Sequence, residues 1–292
     1  MFRFLAAGLA CAGLLHAVDS DEHIRKSIPV SSATRLVLNA DSGGVRLEPG
    51  SEKTVDVDVE FRGGRPSRGD LERLHREFRL EVSQVGSEIH VRGEFRDRDW
   101  FFNVWRWFTW PHEIEYHVTV PQKFDADVQT SGGPIEVSDL HGRLRAHTSG
   151  GPVHVYRLEG DADVSTSGGP ITVERNSGRV RAHTSGGPID IREAEGAVDA
   201  STSGGPVVAS LLRQPREDCR LTTSGGPIEV RLARDVHVDL DASTSGGHVW
   251  TDFPVSTHGS HESSELRAPL NGGGPRLYLH TSGGGIRVRR GD

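Results

Sequence analysis

His112-Glu-Ile-Glu-Tyr116 opens like the helical zinc-protease motif, in which two histidines four residues apart share a helix face and hold the metal. Tyrosine stands where the second histidine is required, and Ile114-Glu-Tyr-His-Val-Thr-Val120 alternates apolar with polar residues as a strand does. Zinc hydrolysis is not expected there. His258, His261 and Glu262 carry metal-ligand types, but they lie in a serine-rich insertion and read as solvated side chains. Asp125/Asp127 and Asp161/Asp163 offer the paired carboxylates that polysaccharide-cleaving β-helices need. Each pair recurs against arginines one repeat later, Arg143/Arg145 and Arg179/Arg181, which predicts neutralisation instead of acid–base work.

The other stretch with chemistry to offer is Trp100-Phe-Phe-Asn-Val-Trp-Arg-Trp-Phe-Thr-Trp110, which holds four of the five tryptophans. Tryptophan joins a large apolar body to a polar N–H, and binding energy concentrates in such aromatic and arginine anchors. Trp100, Trp105, Arg106, Trp107, Phe108 and Trp110 are therefore the candidate partner-binding residues, with a satellite core under the end of the fold as the competing role.

The elements that must position these residues come from an internal repeat. Thr-Ser-Gly-Gly begins at Thr130, Thr148, Thr166, Thr184 and Thr202, a step of 18 residues, and returns at Thr223, Thr244 and Thr281. Proline and an apolar-polar-apolar triplet follow the regular copies, as in Ile171-Thr-Val173, and a second alternating segment precedes each threonine, as in Val180-Arg-Ala-His183. Each unit thus holds two strands and two turns, too little to bury its own apolar face, so the units must stack. The column three residues before each threonine reads Asp127, Arg145, Asp163, Arg181, Asp199, Arg220, Asp241, so parallel in-register stacking sets acid beside base on every rung. Cys219 falls in an inward column and reads as a packed thiol. On this stack His147 and His183 stand two rungs apart, about 9.6 Å at the interstrand spacing, too far for one ion. Calcium rolls place aspartate after the glycines; here Pro-Ile-x-Val follows, so calcium is not expected.

The architecture predicted is all-β, a parallel β-solenoid of about 18-residue coils with Ser-Gly-Gly at one corner. Residues 30–128 read as an N-terminal β-rich cap with one short helix, Asp70 to Phe78, and residues 129–290 as the repeat solenoid. Residues 1–17, with Arg3 before a short apolar run that ends in small residues, read as a secretory signal peptide cleaved after Ala17, with Ala10-Cys11-Ala12 as a second site and lipidation at Cys11 as an alternative. Removing it leaves Cys219 without a disulfide partner. No later segment is apolar enough to span a membrane. A net charge of −7 with three lysines in 292 residues argues against a phosphate-backbone partner.

The order of a strand-Ser-Gly-Gly unit, a Val118-Thr-Val-Pro121 strand, Thr-Ser-Gly-Gly-Pro coils and a closing Asn271-to-Val288 segment resembles the bacterial putative-adhesin family of β-strand repeat domains over roughly residues 30 to 290. The resemblance implies an envelope or surface β-solenoid and supplies no catalytic residues. The expectation is a non-enzymatic exported interaction module without cofactor or metal, whose partner is an envelope or surface protein or glycan. The competing readings are a carbohydrate-active β-helix working through its irregular N-terminal part, and a ligand-free spacer.

Overall fold

The computed structural model describes residues 16–20, 23–30, 32–63, 76–95, 112–255 and 264–291. The first strands are β1 (His16–Ser20), β2 (His23–Pro29), β3 (Arg35–Ala40), β4 (Gly44–Pro49), β5 (Thr54–Gly63), β6 (Phe78–Val85), β7 (Glu88–Phe95) and β8 (His112–Val120). The regular coils supply β9 (Asp125–Thr130), β10 (Ile135–Ser138), β11 (Leu144–Thr148), β12 (Val153–Leu158), β13 (Ala162–Thr166), β14 (Ile171–Asn176), β15 (Val180–Thr184), β16 (Ile189–Ala194), β17 (Val198–Thr202) and β18 (Val207–Leu211). Then come β19 (Cys219–Thr223), β20 (Ile228–Leu232), β21 (Val238–Thr244), β22 (Val249–Thr251), β23 (Glu265–Leu270), β24 (Arg276–Thr281) and β25 (Ile286–Arg290).

The strands form two facing sheets. One runs β1-β2-β5-β8-β4-β10-β12-β14-β16-β18-β20-β25-β22, the other β23-β21-β24-β19-β17-β15-β13-β11-β9-β3-β7-β6. Each coil gives one strand to each sheet, and the regular coils pair in parallel with equivalent residues in register, Arg145 against Asp127 and Asp163 for example. Alternation decides which side is buried: Val180, Ala182 and Thr184 point inward while Arg181 and His183 point out. The core is a continuous column of Val, Ile, Leu and Ala between the sheets, and Cys219 belongs to it with 1% exposure. Burial raises the Cys219 thiol pKa, as an inert packed sulfur requires.

Chain order and stacking order part company at both ends. Coil β7–β8 stacks outside coil β3–β4 although it follows it in sequence. At the other end coil β24–β25 slots between β19–β20 and the outermost coil β21–β22. The charge column therefore does not run from Arg220 to Asp241: Tyr278 stands between them, one rung from each. Its ring takes Arg220 and Arg276 at 5.0 Å each, so a cation–π contact replaces the expected ion pair. Asp125 and Asp161, expected against the Arg143 and Arg179 side chains, instead accept from the backbone N–H of those arginines at 2.7 and 2.9 Å.

Antiparallel strands lie beyond the parallel stack. At the N-terminal end β5, β2 and β1 extend one sheet and β6 the other. At the C-terminal end β23 extends one sheet, while the three-residue β22 is the outermost described strand of the other. Strands that oppose the stacking direction and shorten at the rim limit further parallel pairing. The expected helix lies mostly outside the described residues; Arg76 and Glu77 are helical, and Phe78 opens β6 instead of closing the helix. The expected signal peptide likewise lies outside them, apart from the backbone of His16 and Ala17 in β1, and Cys11 is not among them. Among the described residues no helix is long and apolar enough to cross a membrane.

Candidate functional site

The repeated corners use up their own polar groups. Thr148, Thr166, Thr184, Thr202 and Thr223 are buried. Each hydroxyl donates to the carbonyl of the second glycine in the preceding corner, for example Thr166 to Gly151 at 2.9 Å, and each accepts from its own second glycine, Gly169 N–H at 3.3 Å in the same coil. The hydroxyl satisfies a buried carbonyl and a buried N–H together, a structural fastening and not a ligand cradle.

The outer faces carry charge in neutral arrangements. Arg145 lies 3.6 Å from Asp127 and 3.8 Å from Asp163, and Arg35 reaches Asp127 at 2.9 Å. On the other sheet Arg192 bridges Asp190 at 2.6 Å and Glu174 at 3.0 Å. A further column was not read from the sequence: Asp139, Arg157, Arg175 and Glu193 share a left-handed backbone with φ of 51 to 57°. Arg157 binds Asp139 at 2.5 and 2.6 Å, and Arg175 binds Glu193 at 2.9 Å. The Arg157 hydrogen bond holds the Asp139 carboxyl below the usual carboxylate range.

Glu60, Glu115 and His117 form the one group among the described residues whose ligand atoms lie within 4.8 Å of one another, as a metal would need. The alternation of β5 and β8 puts them on the outer face of the N-terminal strands, with Glu60 directly opposite Glu115. Arg62 already bridges both carboxylates, at 2.9 Å to Glu60 and 2.5 Å to Glu115. That hydrogen bond is the main reason the Glu60 pKa is lowered. A guanidinium in this place supplies the positive charge a cation would bring, so the group acts as an ion-pair network. The failed zinc motif is a strand as the sequence indicated; Tyr116 is fully buried, and burial raises its hydroxyl pKa.

The insertion that lengthens the coil before Thr223 folds over the corner opposite Ser-Gly-Gly. It makes a cleft of about 310 Å³ lined by Arg179, Arg213, Arg216, Glu195 and Glu217 among others. Arg213 pairs with Glu195 at 3.2 Å and Arg179 with Glu217, while the Gln214 amide clamps the insertion to the His237 backbone at 2.8 Å through both its nitrogen and its oxygen.

Trp100, Trp105, Arg106, Trp107, Phe108 and Trp110 lie outside the described residues, as do His258, His261 and Glu262. The points where the aromatic stretch leaves and rejoins the fold are described. Gly93 of β7 pairs with Ala40 and Glu115 of β8 with Gly44, the two ends of the Asp41-Ser42-Gly43 corner, and the Phe95 N–H donates to the Asp41 carboxylate at 3.2 Å. β7 therefore ends on one sheet and β8 begins on the other, each just past the side where every regular coil turns through Ser-Gly-Gly. Behind that corner sits an aromatic cluster, with Phe78 at 5.4 Å from both Phe61 and Phe95 and 6.4 Å from Tyr116.

Sequence reasoning passed over the fifth tryptophan. Trp250 is 43% exposed on β22. It occupies the outward position of a Thr-Ser-Gly-Gly unit, where the regular coils carry Glu136, His154, Thr172 and Asp190, so aligning the last coil with the others marks it.

Fold and surfaces define a two-sheet parallel β-solenoid whose coil faces pair their acids with their bases. No family model matches the chain, and no curated protein does. Among solved structures, a putative adhesin from Bacteroides fragilis is similar over 93% of this chain and 98% of its own, at 12% identity and a TM-score of 0.50. A putative lipid binding protein from Parabacteroides distasonis covers 93% of this chain and 97% of its own at 14% identity and a TM-score of 0.40. The Bacteroides fragilis likeness shows a shared fold, in agreement with the resemblance carried by the repeated coils.

Proposed function

We propose that this protein is an exported, non-enzymatic interaction module of the bacterial cell envelope or surface, in which residues 129–290 form a rigid rod and residues 30–128 a cap that presents the binding segment. The observation that carries the reading is the placement of Gly93 and Glu115 on either side of a corner that the other coils close with Ser-Gly-Gly. Binding segments are characteristically inserted into loops held by a rigid scaffold, and Trp100, Trp105, Arg106, Trp107, Phe108 and Trp110 fall inside this insertion. The coil faces support the same reading, since their acids and bases are already engaged with one another. An apolar run at residues 1–17 with small residues at its end supports export.

The test is capture from envelope extracts with the wild-type chain and two double variants, Trp105→Ala/Trp107→Ala and Phe108→Ala/Trp110→Ala. One pair is expected to lose retention while far-UV circular dichroism stays native. Unfolding of both variants would make the aromatic stretch core and end the proposal.

A further inference from the structure

We propose that Trp250 and Arg287 form a binding platform for an anionic sugar, a uronate unit of an acidic polysaccharide, on the outer face at the C-terminal end of the solenoid. The proposal deepens the interaction reading by naming a ligand class, at residues separate from the Trp100–Trp110 stretch. Trp250 and Arg287 are directly opposite on β22 and β25. The Arg287 guanidinium carbon lies 5.5 Å from the centre of the indole, and the His248 ring meets the indole edge-on at 5.6 Å and 70°. The indole also lies against Gly285: a Cβ there would come 2.8 Å from its Cζ3. A side chain at position 285 would displace the ring, so the absence of one lets the indole pack against β25. The large aromatic surface is thus held before any ligand arrives, which lowers the ordering cost of binding.

Charge points to the ligand class. The chain carries a net −7, yet the outward face at this end of the sheet gathers Arg231, Arg287 and Arg289 around Glu229, which stands directly opposite Arg287. Arg231 and Arg289 share Glu229, at 3.0 and 3.7 Å. Among the described residues no carboxylate forms an ion pair with Arg287. A guanidinium beside an aromatic ring keeps N–H groups free for a carboxylate, which they hold in a two-point contact. A pyranose presents a flat C–H face to an indole and, when it is a uronate, a carboxylate at its rim; this platform offers a surface for the one and a fork for the other. A membrane surface is the poorer fit, because an indole that inserts among lipid headgroups must project from the fold, whereas Trp250 lies against Gly285.

The experiment is isothermal titration of the whole protein with oligogalacturonate, with a neutral maltooligosaccharide and with phosphatidylglycerol vesicles. Saturable binding of oligogalacturonate is expected, weakened at least about tenfold by Trp250→Ala. Arg287→Gln is expected to reduce oligogalacturonate binding to the level of the neutral sugar. Both positions are exposed, and an unchanged melting temperature for Arg287→Gln keeps the test valid if Trp250→Ala alters folding. The proposal is overturned by absence of oligogalacturonate binding, by binding indifferent to both substitutions, by equal binding of the neutral sugar, or by Trp250-dependent binding to vesicles alone. Envelope retention by the Trp105/Trp107 and Phe108/Trp110 variants is a separate readout, so failure here leaves that reading to its own test.

Discussion

Gly168 and Gly169 are neighbours in one corner and face different surroundings. A Cβ at Gly169 would lie 2.1 Å from the Gly151 carbonyl oxygen, whereas one at Gly168 would find its nearest neighbour, the Gly150 oxygen, at 3.7 Å. Stacked backbones touch at the second glycine of every regular corner, so close approach, not an unusual φ, requires it. Gly169→Ala is expected to lower the melting temperature sharply and Gly168→Ala to leave it nearly unchanged. Equal effects would contradict the corner geometry. Thr166→Val keeps the shape and removes the hydroxyl, leaving the Gly151 carbonyl and the Gly169 N–H unsatisfied. Equilibrium urea unfolding should show a loss of about 1–3 kcal/mol. The repeat marked these corners in the sequence, but it did not separate the two glycines or show why the threonine is buried. Both answers depend on atoms of the preceding coil, which a single repeat does not contain.

At the scale of strands, the alternating column was legible because it follows from register alone. Arg181 has Asp163 and Asp199 as its direct neighbours. Arg181→Asp aligns three carboxylates, and the melting temperature should fall modestly at low ionic strength and recover in high salt, since exposed like charges are screened. An unchanged value at low salt would count against in-register stacking. The column ended differently from its sequence pattern because Tyr278 enters it from the last coil. Asp241 consequently pairs with Arg276 and, at 3.2 Å, with Arg267 of β23. The Arg276 hydrogen bond is the main cause lowering the Asp241 pKa, with Arg267 adding to it. A depressed folded-state pKa contributes stability above the ordinary carboxylate value of 3.8 and loses it as pH falls through the folded value. Asp241→Asn should therefore lower the melting temperature at neutral pH and flatten its acid dependence; parallel acid curves for the two proteins would contradict the pairing.

The whole molecule is a stack whose ends are wound out of sequence. The insertions between Thr202, Thr223, Thr244 and Thr281 announced irregular late coils, but their stacking order was not legible, because the shared Thr-Ser-Gly-Gly pattern does not say which unit lies on which. The two-strand coil, the inward residues and the N-terminal strands were legible from alternation, while the exposure of Trp250 needed the rim to be known. Interleaving has a measurable consequence: β25 lies between β20 and β22 and should exchange its amide hydrogens more slowly than β22, although it is nearer the chain end. The reverse order would mean that the coils stack as they are written. Chelator should leave the melting temperature unchanged, because the corner hydroxyls and carbonyls are spent on each other.

On the proposed reading the coils are scaffold and the segment between β7 and β8 carries binding to the envelope. Replacing residues 96–111 by a short Gly-Ser linker would remove the aromatic stretch and keep the described residues of β7 and β8. Retention of this shortened chain on envelope material, measured beside the wild type, tests the claim most directly. A native circular dichroism spectrum with retention lost is expected; a folded shortened chain retained as well as the wild type would contradict this reading.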